Sequence, residues 1–294
     1  MTNIVKNYLR VLEVISSLNY KFGYKSGVGR KTKISDLEIV ALSLTAEFMS
    51  IGSENSLFKL VDTSQIPNLI ERSQFNKRRR KLFLFSEEVR LKLASRFLEF
   101  EDYFIVDSMP LEIYKFARHR RIKICKKEFE TAPSKGFCAS QNTWFYGYKL
   151  HGVCSVSGIF HSLDITKAEV HDVHFLKNIK QQMSDCVLLG DRGYLSRTIQ
   201  LDLFQTVNIK LETPKRKNQV DYKRQAYIFR KSRKRIERLF SQLFDQFKIR
   251  NNYAKSFEGF KTRILAKITA LTLVQYVNKF IFDRPINNIK NQII

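Results

Sequence analysis

The chain has 294 residues and carries 52 Lys+Arg against 28 Asp+Glu, a formal charge of +24 at pH 7. An excess this large opposes compaction by self-repulsion, so it is expected to serve a polyanion, with nucleic acid ahead of an anionic membrane surface. A hydrophobic content of 44% argues for a real core and against disorder, and the length allows one large domain plus a smaller one. No window approaches the roughly 18–20 uninterrupted apolar residues of a membrane span. The most apolar late stretch, Ile264 to Ile281, is broken by Lys267, Gln275, Asn278 and Lys279. Met1 to Arg10 shows no charged segment leading into an apolar one, so the protein is expected in the cytoplasm. The cysteines Cys125, Cys138, Cys154 and Cys186 form no CxxC pair and read as small buried or reduced thiols.

Residues 1 to about 100 read as helical. Ser35 with Glu38 three positions on is a capping box, followed by the apolar run Leu37 to Phe48. A loop containing Pro67 leads to the basic run Ser73-Gln74-Phe75-Asn76-Lys77-Arg78-Arg79-Arg80-Lys81, which suits either phosphate contact or a solvated helix start. Helical spacing resumes from Leu82 to Leu98.

The pattern then changes. Tyr103 to Val106 reads as a short buried strand ending in Asp107, and residues 108–143 form a basic, irregular insert. Phe145 to Val156 is a second strand, Ser157-Gly158 a tight turn and Ile159 to Ile165 the returning strand. A helix is expected at about 172–183, and a strand from Cys186 that stops on Asp191. Ser196 to Gln205 is helical and Val207 to Leu211 is a fifth strand. A basic loop from Lys215-Arg216-Lys217 to Lys223-Arg224 precedes helices at about 227–250 and 258–281. The order β-β-β-α-β-α-β-α predicts an α/β domain, a mixed five-stranded sheet flanked by helices, behind an all-helical N-terminal region.

Three acids stand out. Asp107 and Asp191 each end a strand, and a crossover helix lets those strands lie parallel as neighbours, so both carboxylates would reach the crevice where such sheets bind ligands. Glu237 lies one residue beyond Ile236 on a helix whose apolar stripe is Ile236, Leu239, Phe240, Leu243 and Phe247, which puts it on the stripe's border. Arg230, Arg233, Ser241 and Lys248 share its flank. A few carboxylates suffice to hold hard, well-hydrated Mg2+, and two such ions can activate an attacking oxygen and stabilise a leaving one. Glu212, ending strand five, is the reserve third acid.

Other residues read more blandly. His171 and His174 lack further zinc ligands and suit a structural or capping role, with Asp172 a plausible N-cap. His151 shares a strand face with Lys149 and reads as a core histidine. Trp144 reads as core, the alternative being stacking on an extruded base. Arg192, directly after Asp191, suits a DNA phosphate.

Four motifs, YFIVDSMP (Tyr103–Pro110), YGYKLH (Tyr146–His151), GDRGY (Gly190–Tyr194) and RKRIERLFSQL (Arg233–Leu243), resemble those of bacterial insertion-sequence transposases of the DDE type. Asn76-Lys77-Arg78-Arg79-Arg80 and Gly259-Phe260 look most like the group named for insertion sequence nine-eighty-two. The resemblance implies an RNase H-like catalytic domain at 101–294 behind a DNA-binding region at 1–100. It implies Asp107, Asp191 and Glu237 as catalytic metal ligands for two Mg2+ ions, with Mn2+ substituting. It further implies DNA as partner, both the element's terminal inverted repeats and the target, bound by a homodimer. Arg192, Arg230, Arg233, Lys248, Lys149, Arg78, Arg79 and Arg80 are the expected DNA-binding residues. Related families carry a Tyr seven residues before the last acid and a Lys seven after, where this chain has Arg230 and Phe244, with Lys248 as the substitute cation. An RNase H-like nuclease without strand transfer and a catalytically dead DNA-binding remnant are the alternatives.

Overall fold

The computed structural model describes residues 3–18, 32–61, 64–66, 68–215, 218 and 222–290. The N-terminal region is helical as expected: α1 (Asn3–Ser16), α2 (Asp36–Phe48), α3 (Glu54–Leu60), α4 (Arg72–Lys81) and α5 (Phe83–Leu98). The capping box forms. Ser35 Oγ accepts the Glu38 N–H at 3.2 Å, and the Glu38 carboxylate accepts the Ser35 N–H at 2.7 Å. Residues 39–47 of α2 are then buried without a break. Pro67 and parts of the 215–224 loop lie outside the described residues.

The sheet has six strands rather than five: β1 (Tyr103–Tyr114), β2 (Ser134–Cys138), β3 (Thr143–Ser155), β4 (Phe160–Lys167), β5 (Cys186–Leu189) and β6 (Ile209–Glu212). Its order is β2-β3-β1-β5-β6, with β4 paired to β3. The extra strand comes from the basic insert, whose end pairs antiparallel with the first residues of β3. β1 also runs well past Asp107, because β3 is long enough to pair with it as far as Tyr114. Met109 and Leu111 are buried at alternate positions along this extension. β5 meets β1 only over Tyr103–Ile105, so the far edge of β1 is open where Pro110 lies, which suits a residue without an N–H.

The expected helix at 172–183 shortens to a 3-10 turn, Asp172–Phe175, and the single turn α6 (Leu176–Ile179). α7 (Arg197–Val207) follows β5. One face of the sheet presents Phe104, Val106, Val153 and Leu188 to Phe175, Leu176, Ile179 and Leu203. The opposite face carries Ile105, Asp107, Gly152 and Leu189, by strand alternation.

α8 (Tyr227–Asp245) and α9 (Phe257–Phe280) complete the chain. α8 ends before the expected residue 250. The Ile249 N–H donates to the Leu243 carbonyl at 2.9 Å, Lys248 takes a left-handed conformation at φ 48°, and Phe247 and Ile249 on either side are fully buried. α9 is buried continuously from Thr262 to Asn278. A helix with no polar face belongs at the centre of a bundle, and α2 and α4 pack on α9.

Two compact units result: Phe97–Gln242 holds the sheet, while the residues up to Arg96 and from Leu243 onward form a helical unit. Chain order suggested that the last helices go with the sheet. α9 instead joins the N-terminal helices, where it is buried along its length and packs on α2 and α4. No described helix is long and apolar enough to cross a membrane.

Candidate functional site

The parallel register brings Asp107 and Asp191 to one place. The last paired residues of β1 and β5 are Ile105 and Leu189, and each acid lies two residues further on. Asp107 is therefore inside its strand rather than at its end, but it lies just past the point where β5 stops. Asp191 leaves β5 and caps the 3-10 turn Arg192–Tyr194, its Oδ1 accepting the Gly193 N–H at 2.7 Å. The Ser108 N–H donates to Asp107 Oδ1 at 2.8 Å.

Glu237 arrives on α8. Gly152 is the β3 partner of Asp107 and shares its face of the sheet. A Cβ there would stand 2.9 Å from the Phe160 ring and 3.7 Å from Phe240, so the glycine lets the Phe160–Phe240 stack, centroids 6.2 Å apart, press onto the strand. Arg235 Nε donates to the Val156 carbonyl at 3.3 Å. With Ile236, Leu239 and Phe240 buried, Glu237 is exposed on the border of the stripe, as the spacing predicts.

The electrostatics register this gathering. Burial pushes the Asp107 carboxyl up to about 7. The Ser108 amide opposes that rise, Asp191 adds to it, Arg233 opposes it and Glu237 adds to it. Asp107 and Asp191, with Asp172, also act on Tyr194, whose hydroxyl burial holds well above its ordinary range and those three carboxylates push further. Among the described residues, no group of three or more His, Cys, Asp or Glu side chains stands close enough to hold a metal ion. What the site offers is hard carboxylate oxygen and an excess of like charge, a donor set that suits a divalent cation.

A cleft of about 460 Å³ opens beside Asp191, lined by Arg192, Lys223, Arg224, Arg230 and Arg233. Arg233 Nε and both side-chain polar atoms of Gln225, which also lines it, are buried with no hydrogen-bond partner among the described residues. The cleft thus presents cations and unspent polar groups next to the acids, as a bound phosphodiester would require.

The other sequence candidates divide. Arg192 and Arg230 are exposed at this cleft. Lys149 is committed to Asp172 at 3.0 Å and to the Val170 carbonyl at 2.9 Å. Lys248 is off the α8 face, in the turn beyond it. Arg78 is held by Asp36 and the Ile34 carbonyl, and Arg79 is buried on Glu47 and Glu54, so both do structural work in the helical unit. Arg80 lines a different cleft. His151 is a core histidine, stacked on Phe175 at 5.0 Å and bonded to Thr166 at 2.8 Å. Burial lowers its pKa to about 4. His171, not Asp172, sits at the cap of the 3-10 turn. Trp144 is not core. It is 56% exposed at the sheet's edge, beside Phe137 and Phe116, because it belongs to the outermost paired segment of β3. Glu212 pairs with Lys210 at 3.0 Å. All four cysteines are free thiols.

Sequence reasoning missed two residues. The Asp172 carboxylate lies 3.8 Å from where a Cβ on Gly193 would be, which brings a fourth acid to the Asp191 turn. Nothing in its spacing marks it. Tyr194 was legible only as part of the GDRGY motif.

Residues 99–273 match the family model described as Transposase DDE domain. That span covers more than half of the chain, and the chain belongs to this family of transposases. It takes in the whole sheet, the acids and most of α9. No curated protein matches the sequence. Among solved structures the chain is similar to "Mos1 transposase paired-end complex with left transposon end", at 14% identity over 88% of this chain and 85% of that one. The TM-score of 0.23 is too low for that likeness to bear on the fold.

Proposed function

We propose that the protein cleaves DNA at the ends of its insertion sequence and transfers the freed strand into target DNA, with Asp107, Asp191 and Glu237 as its catalytic acids. The observation that carries this is the convergence of those acids beside Arg233 and a cation-lined cleft. Asp107 is desolvated and feels Asp191 and Glu237 as like charges, a repulsion that a cation would relieve, so these three residues would hold Mg2+, with Mn2+ able to substitute. Two such ions would supply activation of an attacking oxygen and stabilisation of a leaving one.

The chain's own groups do the rest. Arg233, Arg192 and Arg230 bind backbone phosphates and set the register of the strand over the acids. Water adds its oxygen to phosphorus at the element's end, the bond from phosphorus to the 3′-oxygen breaks, and a proton from the water completes the 3′-hydroxyl. That hydroxyl then attacks a target phosphorus in line. The target's own 3′-oxygen leaves and takes up the proton. The sheet unit is read as an RNase H-like catalytic domain and the helical unit as a DNA-binding region, in the manner of the insertion sequence nine-eighty-two group. Two copies would pair on the two ends, in the cytoplasm and on the nucleoid.

The test uses the full chain, a duplex of the element's own terminal repeat and target plasmid in Mg2+, resolved on denaturing gels. Cleaved and joined products are expected, and neither with Asp191→Asn. Cleavage without joining would favour an RNase H-like nuclease instead. Unchanged cleavage by Asp191→Asn would remove the assignment.

A further inference from the structure

Two sequence features take no part in the carboxylate site: the basic run Asn76–Arg80 and the pair Gly259–Phe260. Far apart in the chain, they meet in the helical unit, where α4 carries the first and α9 begins on the second. Ser256 caps α9, its Oγ accepting the Gly259 N–H at 3.3 Å. The Asn252 side chain donates to the Phe260 carbonyl at 3.0 Å and accepts the Ala254 N–H at 3.2 Å, which fixes the approach to the helix. A Cβ on Gly259 would stand 3.3 Å from Ala254 Cβ and Ser256 Oγ and 3.7 Å from the Arg80 side chain. Glycine thus keeps the start of α9 open next to Arg80.

Between these features lies a cleft of about 180 Å³, lined by Arg72, Arg79, Arg80, Arg263 and Tyr253 with the acid Glu54. Its inner wall is fixed. Arg79 and Arg263 hold the buried Glu47, both at 3.1 Å, while Asn76 and Arg79 occupy Glu54. Even so, Arg79, only 5% exposed, keeps its Nε without a hydrogen-bond partner among the described residues. The outer wall is free to act. Arg72 is exposed, Arg80 is half-buried, and neither pairs with an acid among the described residues. The 24-residue helix α9 adds the positive end of its dipole, and the acid in its first turn, Glu258, is occupied by Lys261 at 2.8 Å.

We propose that this cleft anchors a backbone phosphate of the bound DNA, gripped by Arg72 and Arg80 at the start of α9. The inference rests on DNA being the partner. It refines the expectation for the basic run: of its three arginines only Arg80 is not paired with an acid among the described residues, and Arg72, about two turns earlier on α4 and outside the run, joins it at the cleft.

The test is fluorescence anisotropy of the full chain with a terminal-repeat duplex across a salt series, comparing wild type, the double variant Arg72→Ala/Arg80→Ala and the double variant Arg72→Lys/Arg80→Lys. Neither change touches the buried ion cluster, and melting curves by circular dichroism check that the fold is kept. The alanine pair is expected to weaken binding about tenfold near physiological salt and to reduce the slope of log affinity against log salt by about 1, the share of one phosphate. The lysine pair restores the slope. Wild-type affinity and slope in the alanine variant would overturn the proposal, as would failure of the lysines to restore the slope. Inorganic phosphate provides a further arm: if it raises the melting temperature of wild type and not of the alanine pair, while both bind duplex alike, the cleft serves a free anion and the DNA anchor is overturned. Cleavage of the same duplex, read separately, tests the carboxylate reading, so the two can fail independently.

Discussion

Glu47 in the helical unit and Asp107 in the sheet unit are both drawn out of water, and their carboxyls shift in opposite directions. Burial alone would raise Glu47, but Arg263, Lys267 and Arg79 together overcome it and hold the group down at about 2. Burial raises Asp107 to about 7, and its acidic neighbours Asp191 and Glu237 add to the rise. Desolvation is common to both, so the difference lies in what the fold supplies as counter-charge. Around Glu47 the protein supplies three cations of its own, with Lys267 at 2.6 Å, and the cluster ties α2, α4 and α9 together. Around Asp107 it supplies mainly more acid, leaving room for a cation from outside. An acid with built-in partners holds structure, while an acid crowded by its own kind is the sort that the proposed function would use.

The largest effect should come from breaking the satisfied cluster. Glu47→Gln leaves three buried cations without their carboxylate and is expected to cost about 3–5 kcal/mol, read from urea unfolding. The sign with pH follows from the lowered pKa. Glu47's contribution is complete above its ordinary value of 4.5 and is lost as pH falls towards about 2, so the gap between wild type and Glu47→Gln should narrow from pH 6 to pH 3. A gap that does not change with pH would mean the cluster is not held by that charge.

Asp191→Asn comes next and should behave in the opposite manner, with cleavage falling at least about 100-fold while the urea midpoint hardly moves. The lower bound follows from the 10–100-fold that even outer partners of metal ligands are worth. Asp107→Asn sharpens the contrast further. A folded-state pKa raised from 3.8 to about 7 means that ionising Asp107 costs stability, progressively, as pH rises through that window. In chelator at pH 8 the Asn variant should therefore be more stable than wild type by on the order of 1 kcal/mol, and the advantage should vanish near pH 4. If Asp107→Asn destabilised as Glu47→Gln does, the division between structural and reserved acids would collapse.

Much of this was legible from the sequence, because the features concerned are local. The Ser35–Glu38 box, the stripe Ile236–Leu239–Phe240 and the strand that begins at Cys186 each follow from residue spacing, and the structure has all three, though the strand stops at Leu189, two residues before the expected Asp191. The misreadings share one cause, dependence on a distant partner. β1 looked as if it ended at Asp107 because nothing local announces that β3 will pair with it up to Tyr114. Trp144 looked like core because its exposure depends on lying at the sheet's edge beside β2, which was hidden in an irregular basic insert. Arg79 looked like a DNA contact because Glu47 and Glu54 lie far from it in the chain. Asp172 read only as a helix N-cap and not as a site residue, since only the fold brings it to the Asp191 turn.

The smallest expected effect decides which residue is the third acid. Glu237 and Glu212 were both candidates by position, and the structure gives them different company. Glu237 is exposed on α8, one turn from Arg233, and acts through space on Asp107. Glu212 ends β6, with its carboxylate on Lys210 of the same strand and its carbonyl accepting the Gly190 N–H at 3.0 Å. The carbonyl bond belongs to the backbone and survives substitution, and an exposed ion pair of this kind contributes little. Glu212→Gln should therefore leave stability within about 0.5 kcal/mol of wild type and cleavage within about twofold, whereas Glu237→Gln should lose at least about 100-fold in cleavage at unchanged stability. The reverse pattern, activity lost with Glu212 and kept without Glu237, would move the third acid from the helix to the strand and leave the Asp107 carboxyl facing a different neighbour.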